Sequence, residues 1–382
     1  MKKKFLLLLV IVLVCAIAST LLACGGNEQS DDADQGDESV SGSQGLEFRK
    51  GIDGYMVSGY NGSDTDVVIP STYKKEKVSE ISDNAFKNNM NITSVSIPGS
   101  VVRIWDDAFR DCKKLASVGF GGDGLESIET RAFYGCEALT SVALPNSVTS
   151  IQEGAFEKCS ALASVSFGDQ LQELGVRAFA LCGALTEISL PASLKTIANR
   201  DSDQPFLGCT ALESIKVAEG NSVYHDDNNC LIETESKRLQ VGCKSSVIPS
   251  DGSVTIIDGG AFRVCEGLTE IVIPEGIETI EYYAFAGCLN LTEIVIPNSV
   301  KRIAQKAFLE CTELSKVTLG NGIKELGAEV FWSCEKLTDV NYVGTKNDMI
   351  KVLRESSRTW YYIGNGYIET IECSDGTMRA HD

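Results

Sequence analysis

The chain has 382 residues, with 34 Lys and Arg against 53 Asp and Glu, and a net charge of −19 at pH 7. This balance disfavours nucleic acid and anionic lipid as partners, because both repel an acidic protein. Only two histidines are present, His225 and His381, which leaves little material for catalytic triads or histidine-rich metal sites.

The N-terminus is predicted to be a lipoprotein signal peptide over residues 1–23. Three lysines at 2–4 precede an uncharged apolar run at 5–18, and Leu-Leu-Ala-Cys follows at 21–24. This order is typical of a secretion signal, not of a folded element. The last four residues resemble a bacterial lipobox, which implies that Cys24 is acylated and begins the mature chain. The alternative is a transmembrane helix that contains a cysteine, but a polar stretch without a basic cluster follows.

Residues 24–45 are predicted to form a disordered acidic tether. The stretch is rich in Gly, Ser, Asp and Gln, and its six acidic residues face no Lys or Arg. Such a segment cannot bury a core and repels itself. A cation-binding acidic patch is the alternative. Loss of residues 1–23 removes three lysines and no acids, so the mature chain carries −22. We therefore expect a protein of the cell envelope, held to the membrane by a lipid anchor and exposed at the cell surface.

An internal repeat governs the rest of the chain. Phenylalanines recur mostly every 23 residues, a cysteine stands three residues after all but the first, and a leucine stands three residues after each of those cysteines. The phenylalanines are Phe86, Phe109, Phe133, Phe156, Phe179, Phe206, Phe262, Phe285, Phe308 and Phe331. The cysteines are Cys112, Cys136, Cys159, Cys182, Cys209, Cys265, Cys288, Cys311 and Cys334. The leucines are Leu115, Leu139, Leu162, Leu185, Leu212, Leu268, Leu291, Leu314 and Leu337.

Each repeat predicts one coil of a solenoid. After the leucine, apolar residues alternate as in a short strand, and Pro or Gly often follows; a second apolar pair and an Ala-Phe turn close the coil. One coil cannot bury its own apolar residues, whereas stacked coils form a continuous core. With about 4.8 Å between stacked strands, ten coils span roughly 50 Å. We expect short parallel β-strands stacked in ladders, joined by turns or short helical turns, mostly β and irregular, and capped at both ends.

This pattern resembles the BspA-like leucine-rich repeats of bacterial surface proteins, over residues 67–342. The resemblance implies a leucine-rich-repeat solenoid and a role in adhesion or in binding host and matrix molecules. The general leucine-rich consensus places Asn or Cys after the strand, whereas here Cys precedes it. A smooth horseshoe with an asparagine ladder is therefore not implied.

The predicted solenoid spans 46–345, with an N-terminal cap at 46–66 and a C-terminal cap at 346–382. Two steps break its period: a polar insertion at 199–203, and an irregular hairpin coil at 218–253. In that hairpin the strands should pair Ile232 with Val241 and Cys230 with Cys243. If so, Cys230 and Cys243 can form a cross-strand disulfide, which export favours. Two buried thiols, or a register shifted by one residue, are the alternatives.

The outward residues of the first strand in each coil form the candidate binding face. In the first half they are small and Ser-rich, and in the second half they are charged or apolar. The candidate ligand-binding residues are Glu270, Val272, Glu293, Val295, Lys316 and Thr318. Solenoids commonly bind through such a face, although a plain solvated surface is the simpler interpretation. The expected partner is a protein or glycan at the cell surface.

No catalytic residue, metal site or cofactor is predicted. Nine cysteines in a column point in parallel and do not converge as a zinc site requires, so they are expected to fill small apolar core positions. Asp226, Asp227 and Asn228 lack EF-hand spacing and suggest a solvated turn. An envelope hydrolase, which would have to use His225, and a scaffolding envelope lipoprotein remain the alternatives to a non-enzymatic binding protein.

Overall fold

Each repeat forms one coil of a solenoid. The computed structural model describes residues 42–200, 202–356 and 368–379 of the chain. These residues all belong to one unit, Ser39–Asp382. The predicted signal peptide, Cys24 and most of the predicted tether lie outside the described residues, as does His381. Within the described residues, no helix is both long and apolar enough to cross a membrane.

Short strands dominate the described chain, and one helix follows them. The first elements are β1 (Leu46–Lys50), β2 (Tyr55–Tyr60), β3 (Asp66–Val68), β4 (Thr72–Tyr73), β5 (Glu76–Ile81), β6 (Ser94–Ile97), β7 (Arg103–Ile104), β8 (Ser117–Phe120), β9 (Ser127–Ile128), β10 (Ser141–Ala143), β11 (Ser150–Ile151), β12 (Ser164–Ser166), β13 (Glu173–Leu174), β14 (Glu187–Leu190), β15 (Thr196–Ile197) and β16 (Ser214–Val217). The others are β17 (Tyr224–Asp227), β18 (Cys230–Glu233), β19 (Arg238–Val241), β20 (Ile256–Ile257), β21 (Thr279–Ile280), β22 (Glu293–Ile296), β23 (Arg302–Ile303), β24 (Lys316–Leu319), β25 (Glu325–Leu326), β26 (Asp339–Tyr342), α1 (Lys346–Glu355), β27 (Thr370–Cys373) and β28 (Gly376–Arg379).

The strands stack in two parallel ladders, which confirms the predicted solenoid. The first ladder contains the strand that follows each leucine, such as β6–β8 and β22–β24–β26. The second ladder contains the two-residue strands that follow, such as β7–β9–β11–β13–β15 and β20–β21–β23–β25. Because the paired strands of neighbouring coils in these ladders run parallel and in register, equivalent side chains form columns along the stack.

The phenylalanine column forms the centre of the core. Neighbouring rings stack face to face, with centroids 4.7 Å apart between Phe86 and Phe109 and 5.0 Å apart between Phe285 and Phe308. The backbone fixes this spacing, since the Phe109 N–H donates to the Ala132 carbonyl of the next coil, and the same bond recurs in most coils. The aromatic stack thus follows directly from the 23-residue period.

The cysteine column is buried, and its thiols do more than fill space. Cys136 Sγ donates to the carbonyl of Phe109 in the preceding coil at 3.2 Å, and Cys288 Sγ donates to Phe262 in the same way at 3.2 Å. The cysteines of the column in the described chain are free thiols. The predicted apolar role is therefore incomplete, because the thiols other than that of the partly buried Cys265 also donate to a buried carbonyl.

The stack is interrupted between Phe206 and Phe262, where Gly242 takes the place of a phenylalanine. The Gly242 N–H donates to the Ala261 carbonyl, as a phenylalanine N–H does in other coils. A Cβ at Gly242 would lie 2.1 Å from Cε1 of Phe262, so the Phe262 ring occupies the space that a side chain would need. Two core clusters result, one on each side of this coil.

The irregular coil contains three strands, β17, β18 and β19, where the sequence suggested one hairpin. β17 and β18 pair antiparallel through a turn at Asn228 and Asn229, whose φ angles are 49° and 61°. Asparagine tolerates this left-handed conformation, which two-residue hairpin turns require. Leu231 contributes to the first core cluster and Ile232 to the second, so both faces of β18 are buried.

The predicted register of β18 and β19 is wrong. Ile232 pairs with Leu239 rather than Val241, and a bulge next to Ile232 brings Leu231 opposite Val241. With Leu231 opposite Val241, the antiparallel register does not bring Cys230 opposite Cys243. On its other edge Cys230 pairs with Asp227 of β17. Both cysteines are buried free thiols in this structure, so the disulfide stays a prediction.

The insertion near residue 200 bridges the two core clusters. Asp203 accepts hydrogen bonds from Arg263 at 2.8 Å and from Arg177 at 3.4 Å, and these arginines come from coils on opposite sides of the irregular coil. Gln204 donates to the Gly259 carbonyl at 2.8 Å. We call residues 199–204, apart from the undescribed residue 201, the bridging loop. It joins coils that are 55 or more residues apart in sequence.

Both ends of the solenoid are covered. At the N-terminal end, β1 and β2 form a hairpin, and β2 pairs with β5 of the second ladder. At the C-terminal end, β27 extends the first ladder by pairing with β26, and β28 pairs back on β27. α1 begins with a capping box between Thr345 and Asp348 and buries Met349 against the last coil. The boundaries of the predicted caps remain predictions.

Candidate functional site

Three exposed valines form a stripe on the first ladder. Val247, Val272 and Val295 occupy the same position in three successive coils, each followed by Ile and Pro, and their exposed fractions are 62%, 79% and 58%. We call these residues the valine stripe. The isoleucine that follows each valine is buried. For Val295, which lies in β22, the two-residue period of a strand explains this alternation.

Charged residues border the stripe. Glu293 lies opposite Lys316, and Lys316 lies opposite Asp339, so the signs alternate along the column. Val295 lies opposite Thr318, which is half-buried, and Thr318 lies opposite Asn341. The stripe therefore ends in polar residues towards the C-terminal cap. An apolar centre with a polar border is the usual composition of a protein interface.

The structure places the six predicted face residues on one side of neighbouring coils. Glu293, Val295, Lys316 and Thr318 lie on paired strands, and Glu270 and Val272 are exposed on the preceding coil, in a segment without an assigned strand. Sequence reasoning missed Val247, because its coil lacks the leucine column. The repeated tripeptide Val-Ile-Pro at 247–249, 272–274 and 295–297 was the signal that could have found it.

The Ser-rich half of the first ladder has a different surface. Small residues such as Ser96, Gly119 and Gly121 leave a groove of about 620 Å³ beside the buried Ile97 and the partly buried Phe120. Its lining is mainly apolar, and it carries no charged side chain. The two halves of the ladder thus offer different chemistry, as their sequences predict.

Two of the residues considered for catalysis or calcium binding, His225 and Asp226, have structural partners. His225 Nδ1 lies 2.8 Å from Thr234 Oγ1 across the β17–β18 pair. Asp226 accepts hydrogen bonds from the Val217 N–H at 2.7 Å and from Lys216 Nζ at 3.1 Å, and so attaches the hairpin to β16. Among the described residues, no group of three or more His, Cys, Asp and Glu is arranged to hold a metal ion.

Burial makes several of the column thiols weak acids. It raises the pKa of Cys112, Cys159 and Cys209 to about 12, from an ordinary value of 9.0. Desolvation also raises the pKa of Cys136 and Cys182 well above that value. Because the thiolate is the nucleophile and the metal ligand, thiols held in the protonated form are poorly suited to either role at neutral pH.

The sequence and the fold both match known proteins. The family model described as BspA type leucine rich repeat region matches residues 79–213 and 237–351, in six copies. No curated protein sequence matches the chain. Three crystal structures share its fold. A leucine-rich cell surface protein from Faecalibacterium prausnitzii has 23% identity and a TM-score of 0.54, and the alignment covers 86% of this chain and 98% of that one.

The second is the pneumococcal vaccine antigen PcpA, with 21% identity and a TM-score of 0.58, covering 83% of this chain and 96% of that one. The third is a leucine-rich-repeat protein from Eubacterium ventriosum, with 20% identity and a TM-score of 0.52, covering 75% of this chain and 71% of that one. At these identities the three structures are evidence for the fold alone.

Proposed function

Because this chain belongs to the family of BspA-type leucine-rich-repeat proteins, we propose that it is a lipid-anchored protein of the bacterial cell surface that binds a partner protein through the valine stripe. The exposure of Val247, Val272 and Val295 on successive coils carries the proposal. Apolar side chains exposed at the same position of successive coils form an apolar surface, and such surfaces mark interaction sites more often than single exposed residues do.

The border of the stripe supports a protein partner. Glu270, Glu293 and Lys316 are exposed beside the valines and carry both signs of charge. Alternating charges around an apolar centre give orientation to a protein–protein contact and disfavour wrong partners. A non-enzymatic role fits this surface, because binding through it requires no titrating group.

The surface location of the protein is part of the proposal. One protein of the same fold is described as a cell surface protein and another as a vaccine antigen, and these descriptions support a surface location. In this chain the signal peptide and Cys24 would supply export and the lipid anchor. The acidic tether would then hold the solenoid away from the membrane, and its charge would keep the two apart.

A triple substitution of the stripe tests the binding proposal. Val247→Ser, Val272→Ser and Val295→Ser together should reduce binding to the protein partner at least about tenfold, because the apolar centre of the contact is lost. The measurement is binding of the purified solenoid to immobilised extracellular-matrix proteins and to isolated envelope proteins of the producing bacterium.

The matched control replaces apolar residues that are exposed elsewhere. Ile52 and Met90 are 100% and 49% exposed and lie outside the stripe, so Ile52→Ser with Met90→Ser should leave binding unchanged. Equal loss in both variants, or no loss in the triple variant, would contradict the proposed role of the stripe.

A further inference from the structure

A second groove lies on the other side of the coils, next to the second ladder. It has a volume of about 620 Å³, and its lining includes Asn199, Arg238, Asp258, Glu281 and Tyr282. This volume falls within the usual range for small-ligand sites, roughly 300–1,000 Å³. The groove shares no residue with the valine stripe.

The groove exists because the bridging loop meets a glycine pair. Gly259 and Gly260 occupy the positions that Tyr282 and Tyr283 take one coil later, since Ile257 pairs with Ile280. A Cβ at Gly260 would lie 2.2 Å from the Ser202 carbonyl oxygen, so only glycine admits the loop there. The bridging loop and the two tyrosines therefore flank Gly259 and Gly260, which have no side chains to fill the space between them.

The polar side chains of the groove are held in place by one another. Arg238 binds Asp258 at 2.7 Å, and Asn199 donates to the other carboxylate oxygen of Asp258 at 3.2 Å. Arg302 binds Glu281 at 2.9 Å and also lies over the Tyr282 ring, 5.6 Å from its centroid. The groove is therefore preorganised, and its fixed donors and acceptors need little rearrangement to bind a ligand.

Each carboxylate of the groove has an arginine partner. Asp258 binds Arg238, and Glu281 binds Arg302, which also contacts Glu325 at 3.3 Å. No arginine of the groove is left without a carboxylate to attract an anion, and no carboxylate is left without an arginine to attract a cation. The side chains nonetheless present planar arrays of hydrogen-bond donors and acceptors, and hydrogen bonds that involve charged groups are the stronger ones. This combination suits a ligand that is neutral and rich in hydroxyl groups.

An aromatic ring completes this chemistry. Tyr282 is 44% exposed and lies at the groove, where it offers an apolar ring surface beside the polar groups. A sugar also combines an apolar surface with polar groups, because its hydroxyl groups surround a face of C–H bonds. An added peptide strand does not fit, because β20 already pairs with β19 and β21 and has no free edge.

We propose that this groove binds a neutral oligosaccharide, with Tyr282 under the sugar ring and the Asp258 and Glu281 carboxylates on its hydroxyl groups. The site is separate from the valine stripe and does not depend on the proposed protein partner. A chain with both sites contacts a glycan on one side of the solenoid and a protein on the other.

The test is a glycan array that contains neutral, sialylated and sulfated oligosaccharides, probed with the purified full-length chain. The parent protein should bind neutral members. Tyr282→Ala and Glu281→Gln should each weaken binding to the best neutral oligosaccharide by about tenfold or more. The first removes the ring under the sugar, and the second replaces a charged acceptor that Arg302 holds in place with a neutral amide. Thermal unfolding of each variant establishes that it is folded.

Trp332→Ala is the matched control, because Trp332 is 42% exposed and lies outside the groove. It should bind as the parent does, and so should the triple valine variant, which separates this site from the proposed function. Absence of binding to every neutral glycan, or binding to charged glycans alone, would overturn the proposal. Retention of full affinity by both Tyr282→Ala and Glu281→Gln would overturn it too.

Discussion

The column cysteines combine three properties that few other residues share. The side chain is small enough for the space between stacked coils, it is apolar enough to be buried, and its S–H can donate a hydrogen bond. Cys159 shows all three, since it is fully buried and donates to the Phe133 carbonyl at 3.2 Å. Alanine would leave that carbonyl without its thiol donor, and serine would bury a more polar group.

Stability should fall steeply at alkaline pH because of these thiols. An unfolded cysteine loses its proton near pH 9, whereas burial raises the pKa of Cys112, Cys159 and Cys209 to about 12 in the folded protein. Between these values the native state holds protons that the unfolded state has lost, so raising the pH favours unfolding. Below about pH 9 the contribution is constant. Above about pH 9, and up to the pKa of the folded protein, each of these thiols lowers the free energy of unfolding by about 1.4 kcal/mol per pH unit.

Urea unfolding at pH 7, 9, 10 and 11 measures this effect. Cys159→Ala should be less stable than the parent at pH 7, but its stability should fall less steeply above pH 9, because one titrating thiol has gone. Cys373→Ala, at a half-exposed position of the C-terminal cap, is the control with the smaller change in slope. Identical slopes in the parent and in Cys159→Ala would refute the explanation.

Single residues also mark the limit of sequence reasoning. The Phe, Cys and Leu columns could be predicted because each recurs at a fixed period, and the structure stacks them as expected. Gly242 could not be identified, since its role depends on the Phe262 ring that fills the space beside it. A residue whose importance lies in a missing side chain leaves no periodic signal.

At the scale of elements, the irregular coil and the bridging loop act together. The coil interrupts the phenylalanine stack, and the core divides into two clusters. Repeat proteins derive their cooperativity from contacts between neighbouring coils, so an interruption weakens the coupling of the two halves. The bridging loop restores it through Asp203, which binds arginines from both sides.

Removal of this carboxylate should uncouple the halves. Asp203→Ala should lower the free energy of unfolding by about 1–2 kcal/mol, since two charged hydrogen bonds are lost, discounted because the side chains are about a third exposed. The urea transition should also broaden as the two halves begin to unfold separately.

Glu313→Ala is the control for this experiment. Glu313 binds only Lys336 among the ion pairs of the described chain, and the two side chains are 42% and 58% exposed, so its loss should cost at most about 0.5 kcal/mol. An Asp203→Ala variant as stable as Glu313→Ala would show that the bridging loop does not couple the clusters.

Secondary-structure elements could be predicted where the repeat is regular, and their prediction failed where the repeat is irregular. The β17–β18 hairpin was missed, although Asp-Asn-Asn at 227–229 is a favourable composition for its turn. The predicted register of β18 and β19 was wrong because a bulge adds one residue to the pairing. No pattern in the sequence marks the position of this bulge. The groove next to the second ladder could not be predicted, because contacts between residues about 60 positions apart form it. One such contact joins Asn199 to Asp258, and a local sequence pattern does not encode it.

At the scale of the whole molecule, surface chemistry changes along the chain while the fold does not. The first half of the first ladder carries small residues, and the second half carries the valine stripe with its charged border. The repeat therefore supplies a rigid support, and the outward positions are free to differ. Four of the six predicted face residues lie on paired strands. The alternation of side chains along a strand determines the side on which each of these four lies.

We propose that this solenoid works outside the cell, on a lipid anchor at Cys24. The most direct measurement is protease treatment of intact cells of the producing bacterium, followed by detection of the chain in the cell fraction and the medium. We expect the protease to remove the solenoid from intact cells, and Cys24→Ser to release the protein into the medium or the soluble envelope fraction. Survival of the chain until the envelope is breached would contradict a surface role and favour a scaffolding partner inside the envelope.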